Sequence, residues 1–395
     1  MKQLIRYVLA LYVMLCSTTG FAQQLGDSLR VSLLTCSPGT EVYQLYGHTA
    51  LRVQDPSANL DVVFNYGVFD FRKPHFAWRF VLGECDYEVM YFPFELFLEE
   101  YAKRGSEVVE QELNLTTHEA LQLVHNLILN SEPENRTYRY NFLTSNCTTK
   151  ARDMVENALD GHIIYTESEQ RMTYRELLHK YTTGYEWSEQ GNDILLGASC
   201  DTVLSDRAMQ FLPEQLMKYF SKAMITDTFK CHRPLVSKQV VVLLRNDNLL
   251  NSSAGTPQFI TPTRLGWTLF VVALVVVLFE IRSRRQWWAV DALLMSLQGI
   301  AGLFLCFMFF FSQHPTVDTN WQVWPFNPLP LFLMPWVVVC ARKHRMCYYH
   351  FANLLWLGAF VLFMKWIPQD FSALTLPLTL VLLTRPISYI INYHR

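Results

Sequence analysis

The chain has 395 residues and a formal net charge of −2, and 51% of its residues are hydrophobic. That balance excludes a protein held to nucleic acid by phosphate attraction. Charge is scattered as in a soluble domain up to about residue 263, and long uncharged runs follow. A wholly soluble protein is therefore excluded as well.

Lys2 and Arg6, the apolar stretch Tyr7–Leu15 and the small residues of Gly20-Phe21-Ala22 predict an export signal cut after Ala22. The chain then divides into an extracytoplasmic domain (23–250), a linker (251–263) and a transmembrane domain (264–395). Cys36, Cys85, Cys147, Cys200 and Cys231 fall in the exported part. Five is odd, so at least one thiol stays free in an oxidising compartment, and the other four allow three pairings.

Alternation predicts strands over Arg30–Thr35, His48–Val53, Asp61–Tyr66, Cys85–Phe92, Glu107–Leu115 and Val240–Leu244. Helical spacing predicts helices over Thr117–Asn130, from Cys147 to about Leu159, over Tyr174–Tyr181 and over Glu214–Ala223. Five apolar runs follow: Leu265–Ile281, Trp287–Phe311, Pro328–Ala341, Tyr348–Phe363 and Phe371–Leu383, the last interrupted by Pro377. One set of flanking loops carries Arg282, Arg284, Arg285, Arg342, Lys343, Arg345, Arg385 and Arg395; the other carries Arg264 and Lys365. Eight basic residues against two put the first set in the cytoplasm. The domain before the spans and the Ser312–Asn327 loop then face outward.

Two residues carry the chemistry. His48 lies where a tight turn, Tyr46-Gly47, runs into a strand; Cys147 lies where a loop opens a helix. A thiol at a helix N-terminus has its thiolate stabilised by unpaired N–H groups and the positive dipole end. A nearby imidazole can take and return its proton. Asn65, on the next predicted strand, is the candidate for orienting the imidazole, with Asp61 and Asp70 as rivals. An oxyanion hole would use the Cys147 N–H and a donor from Tyr46 or Asn146. Arg52 and Arg139 are candidates for a phosphate head group, and His314 and Asn320 place the outward loop among candidate substrate-binding segments. No His, Cys or Asp cluster has metal spacing, and no cofactor is implied.

The order of a His strand, a polar strand and then a Cys helix is that of circularly permuted papain-like domains, the NlpC/P60-like group that includes lecithin:retinol acyltransferases. The segments Leu34-Thr35-Cys36-Ser37-Pro38-Gly39, Tyr46 to Val53, Phe64 to Phe71, Tyr140 to Cys147, Phe211-Leu212-Pro213, and His314-Pro315 with Asn320-Trp321 and Asn327-Pro328-Leu329 resemble the Lnb-type lipoprotein N-acyltransferases. The resemblance implies an α+β permuted papain-like domain followed by a bundle of about five transmembrane helices. It also implies a bacterial inner-membrane enzyme with its catalytic domain in the periplasm. The implied activity moves a fatty acyl chain from a phospholipid to the N-terminal Cys amine of a diacylglyceryl lipoprotein, with Cys147 and His48 as the catalytic pair. A membrane-anchored peptidoglycan peptidase or a phospholipase would use the same pair, but the peptidase leaves five spans unexplained. A non-enzymatic receptor leaves the Cys/His pairing accidental.

Overall fold

Residues 28–69, 72, 74–227, 230–253 and 259–393 are described by a computed structural model and fall into two units. The expected export signal, Asp70 and Arg395 lie outside these residues. The first unit takes the chain up to Phe80, Glu84–Met172 and Val203–Thr256; the second takes Val81–Gly83, Thr173–Thr202 and Pro257–Arg395. In chain order the elements are β1 (Arg30–Cys36), β2 (His48–Asp55), β3 (Leu60–Val68), α1 (Phe76–Val81), β4 (Asp86–Pro93), α2 (Phe94–Arg104), β5 (Val108–Leu113), α3 (Thr117–Ser131), β6 (Thr137–Arg139), α4 (Cys147–Glu156) and β7 (His162–Ile164). Then come α5 (Tyr174–Thr182), α6 (Glu186–Leu195), α7 (Asp206–Met209), α8 (Pro213–Lys222), β8 (Met224–Thr226), β9 (His232–Pro234), β10 (Val236–Leu243) and α9 (Asp247–Ser253). The C-terminal helices are α10 (Pro262–Ser283), α11 (Trp288–Phe311), α12 (Leu329–Arg342), α13 (Tyr348–Phe363) and α14 (Thr375–Tyr393).

The first unit is a seven-stranded antiparallel sheet in the order β10-β5-β1-β2-β3-β4-β6. β1 is buried at six of its seven positions because both faces of the sheet are covered, which is why its sequence alternates only weakly. One face packs Leu33, Leu51, Val53 and Phe64 against Leu123 and Leu127 of α3, Ala151 and Val155 of α4, and Leu216 and Phe220 of α8. The other packs Leu34, Ala50 and Val63 against Phe94, Phe97 and Tyr101 of α2. The small sheet β7-β8-β9 and helix α2 were not among the expected elements.

In the second unit, α10 and α11 are each long and apolar enough to cross a membrane. α12 has only 14 residues, or about 21 Å of helix. It is short because residues 312–328 walk back along α11 before α12 begins. A Cβ at Gly302 would lie 2.2 Å from the Asn327 carbonyl carbon, and one at Gly299 would lie 2.3 Å from Leu331 Cβ. Non-helical backbone among apolar helices needs partners for its polar groups. Gln298 Nε2 donates to the Pro325 carbonyl at 2.8 Å, and the Trp324 and Trp356 indoles each donate to the other's carbonyl at 3.1 and 2.9 Å.

The segment carrying α5 and α6 follows the first unit's sequence but packs with the second. Arg175, buried, donates to Asp193 and Asp201 at 2.7 Å each and to the Leu196 carbonyl at 3.0 Å. The last carbonyls of α6 accept from Gln322 and Asn320: Gln322 Nε2 to Asp193 at 2.8 Å, and Asn320 Nδ2 to Ile194 at 2.7 Å. A third polar group joins three helices. Arg385 of α14 donates to both oxygens of Glu280 in α10 (2.9 and 2.8 Å) and to Asp291 of α11 (2.7 Å). Glu280 also accepts from Ser388 at 2.6 Å and from the Trp287 N–H at 2.7 Å. This corrects the expectation that Arg385 is a loop residue beyond the last span. It lies inside α14, buried, and without it the basic residues near the ends of the apolar runs in the sequence divide seven to two.

Candidate active site

Tyr46-Gly47-His48 makes its turn with Gly47 at φ +73, where a Cβ would meet the Cys36 carbonyl oxygen at 2.5 Å. Only glycine meets both demands. β2 then opens on His48, directly opposite Cys36 of β1. On β3, Asn65 stands just before a bulge that ends at Val68, with Gly67 inside it at φ +90. A Cβ at Gly67 would lie 3.8 Å from Cys147 Cβ. Bulges beside reactive sites re-aim side chains, and here the bulge leaves room for the thiol.

Asn146 caps α4. Its Oδ1 accepts from the Thr148 and Thr149 N–H groups (2.8 and 2.9 Å), and Thr149 Oγ1 returns a bond from the Asn146 N–H at 2.9 Å. The Asn146 amide donates to the carbonyls of Phe142 (2.7 Å) and Phe211 (2.9 Å). Both of its N–H groups are thereby spent. This corrects the reading of Asn146 as an oxyanion donor: it fixes the helix start and leaves the Cys147 N–H outside the cap. It also accounts for Phe211-Leu212-Pro213, which supplies that carbonyl and then opens α8 with Pro213 at its first turn.

His48 Nε2 donates to Asn65 Oδ1, and the imidazole is also hydrogen-bonded to the Cys147 thiol. With Nε2 committed to Asn65, the nitrogen facing sulfur is Nδ1. Burial alone would push the thiol up. The His48 charge, its hydrogen bond, the Thr49 N–H and the Thr148 hydroxyl outweigh burial and hold the thiol at about 7. Burial pulls the other way on His48. The Cys147 charge, its hydrogen bond and Asn65 outweigh that burial and raise the imidazole above its ordinary value. Each partner thus favours the other's charged form, the condition for a thiolate–imidazolium pair. Asp61, the rival orienting residue, is taken by Arg52 at 2.6 Å.

Three supporting residues were missed from sequence. The Tyr101 ring lies parallel to the imidazole, centroids 6.3 Å apart, and its hydroxyl bonds the Cys36 thiol. Thr49 and Thr148 join their hydroxyls at 3.1 Å. The spacing of Phe94, Phe97 and Tyr101 carried the helix signal that would have found the first. Cys36 is pushed well above the ordinary thiol value by burial, whereas Cys147 is brought down. Cys36, Cys85, Cys147, Cys200 and Cys231 are all free thiols.

The other candidates lie elsewhere or are already engaged. Tyr46 packs edge-on against Phe142 at 5.0 Å. Arg52 is held by Asp61 and Glu110 with its guanidinium 3.5 Å over Phe94, so it is a strand tie and not a head-group ligand. Arg139 pairs with Asp86 at 2.8 Å. Asn320 is spent on α6 within the second unit, where the backbone of His314 also packs on Gly83. Among the described residues, His179, Glu189 and Asp193 bring possible metal-ligand atoms within 4.8 Å of one another. However, Asp193 already holds Arg175 and His179, and Glu189 accepts from Thr182.

A family model for the Lnb N-terminal periplasmic domain matches residues 21–180, and one for the Lnb transmembrane domain matches residues 254–395. No curated protein and no solved structure matches the chain. The two matches cover most of the sequence in the expected order, a mixed α/β domain followed by a helical membrane domain, and the chain belongs to the Lnb-type lipoprotein N-acyltransferase family.

Proposed function

We propose that the protein moves a fatty acyl chain from a phospholipid to the N-terminal Cys amine of a diacylglyceryl lipoprotein through a thioester on Cys147. The observation that carries this reading is the His48 imidazole bonded to Cys147 on one side and to Asn65 on the other. Cys147 attacks the ester carbonyl as thiolate. The tetrahedral oxyanion is met by the Cys147 N–H at the start of α4. His48 then protonates the lysophospholipid leaving oxygen. The acceptor amine attacks the thioester, and His48 takes its excess proton as the thiolate leaves. Asn65 holds the ring with Nδ1 toward sulfur, as the third member does in other triads.

The basic residues around the apolar helices favour five spans in the inner membrane, with the first unit and the Ser312–Asn327 loop in the periplasm. Labelled phospholipid incubated with purified protein should label Cys147, and neutral hydroxylamine should release the label. A diacylated lipopeptide with a free amino terminus should discharge it into a triacylated product, and an N-acetylated one should not. Release of free fatty acid at equal rates with either peptide identifies a phospholipase, and cleavage of muropeptides without lipid labelling identifies a peptidase. Either result overturns the reading.

A further inference from the structure

The sulfur of Cys147 changes charge as it takes up and gives away an acyl chain, and the groups behind it meet both states. We infer that Thr148, Thr49 and Thr35 form a line of buried hydroxyls behind the thiol whose direction follows the sulfur: toward it in the thiolate, away from it in the thioester. This rests on the reading of Cys147 as acyl carrier.

The line starts at sulfur. Thr148 Oγ1 lies 3.8 Å from Cys147 Sγ and 3.1 Å from Thr49 Oγ1. Thr49 and Thr148 are both wholly buried. Thr35 stands directly opposite Thr49 in the β1–β2 register. The two side chains therefore share a face of the sheet at cross-strand distance, where threonine pairs exchange hydrogen bonds. Thr35 is buried as well, and among the described residues its hydroxyl has no partner. A buried hydroxyl without a partner costs free energy unless another state of the protein uses it.

A hydroxyl gives one proton and accepts on its lone pairs. A thiolate is the strongest acceptor in the line, because charge strengthens the bond. Thr148 then gives its proton to sulfur, and its oxygen accepts from Thr49. The Thr49 N–H adds a second bond to the thiol from the same residue. Once sulfur carries the acyl chain it is uncharged and accepts only weakly. The Thr148 proton gains by turning to Thr49 Oγ1, and the Thr49 proton by turning to Thr35 Oγ1, the acceptor left over in the first state. Only hydroxyl rotation is involved, and no proton leaves its oxygen. The protons of Thr148 and Thr49 thus keep an acceptor in both states. All three threonines are positioning residues: they hold the sulfur and do not exchange protons with substrate.

The test uses full-length protein with each threonine replaced by valine, which keeps the shape and removes the hydroxyl, and by serine, which keeps the hydroxyl. Thermal unfolding checks that each variant is folded. Alkylation of Cys147 by iodoacetamide reads the thiolate without any acyl donor. Thr148→Val should move its midpoint up by about one pH unit and Thr49→Val by less, and the serine variants should stay near the wild type. Thr35→Val should leave the midpoint in place. Equilibration with labelled phosphatidylethanolamine at a fixed proportion of lysophosphatidylethanolamine reads the thioester. There Thr35→Val should lower the ratio of acylated to free Cys147 about three- to tenfold, and Thr35→Ser should not. An unmoved midpoint in Thr148→Val, a midpoint that moves as far in Thr35→Val, or a wild-type ratio in Thr35→Val overturns the inference. Failure of wild-type Cys147 to take up label overturns the acyl-carrier reading, and the inference with it.

Discussion

Each unit buries a polar group of three residues, and the two groups are built oppositely. Glu280, Asp291 and Arg385 are almost fully enclosed, and every carboxylate oxygen accepts at least one hydrogen bond. Cys147, His48 and Asn65 are only partly buried, and their bonds hold the pair close to proton transfer. A saturated ion cluster among apolar helices locks α10, α11 and α14 in one arrangement. An incompletely satisfied pair can change protonation state during a reaction. Burial of polar groups thus serves rigidity in one unit and reactivity in the other, and substitutions should separate the two.

The largest expected effect is on chemistry alone. Cys147→Ser should reduce acyl transfer by at least about three orders of magnitude, because a hydroxyl is a far weaker nucleophile at neutral pH. Thermal unfolding of the purified variant should match the wild type. Retained turnover would end the thioester mechanism.

Next in size is the reverse case. Arg385→Ala leaves two buried carboxylates without their partner, at a cost of about 3–5 kcal/mol. The variant should accumulate poorly in membranes and unfold at lower temperature. Replacing all three charges together, as Glu280→Met, Asp291→Leu and Arg385→Met, should recover most of that stability and keep transfer within a few-fold of the wild type. A triple variant that is stable but inactive would show that the cluster acts in catalysis and would remove the contrast drawn above.

The pH dependence of Cys147 tests the other side. A thiol held at about 7 is thiolate above that pH and protonated below it. Alkylation of Cys147 by iodoacetamide should therefore be half-maximal near pH 7 and fall as the pH is lowered. His48→Ala removes the charge and the hydrogen bond and leaves burial, so the midpoint should move up. Asn65→Ala should lower activity roughly ten- to a hundredfold by freeing the ring, with a smaller change in the midpoint. An unmoved midpoint in His48→Ala would mean that the imidazole does not act on the thiol.

The pairing of His48 with Cys147 was legible because each member carries a local signature. Gly47 before His48 announces a turn that L-residues avoid, and Asn146 before Cys147 with Thr149 three residues later announces a helix start. Asn65 was legible only as the polar residue on the next strand. What the sequence hid depends on distant partners. Tyr101 reaches His48 from a helix no motif marked. Arg385 read as a loop residue because the apolar run interrupted by Pro377 ends at Leu383, yet Pro377 sits in the first turn of α14, where proline is tolerated, and the helix continues through Arg385 and Pro386 to Tyr393. The attachment of α5 and α6 to the membrane unit rests on Asn320 and Gln322, which lie more than a hundred residues further on. Nothing local to α5 or α6 announces them.

The smallest expected effect separates positioning from catalysis at Asn146. Serine keeps a neutral acceptor at the helix cap but lacks the amide that donates to Phe142 and Phe211. Asn146→Ser should cost about 1–3 kcal/mol of stability, because two buried carbonyls lose a donor. Acyl transfer should fall less than tenfold, and the alkylation midpoint of Cys147 should stay near pH 7. An oxyanion donor behaves differently: removing one costs about a hundred- to a thousandfold in turnover with the nucleophile's ionisation untouched. A loss of that size in folded Asn146→Ser protein would mean that the amide turns from its carbonyls toward the substrate during the reaction. The cap would then belong with the reactive group of the first unit, and α4 would have to be re-formed at each turnover.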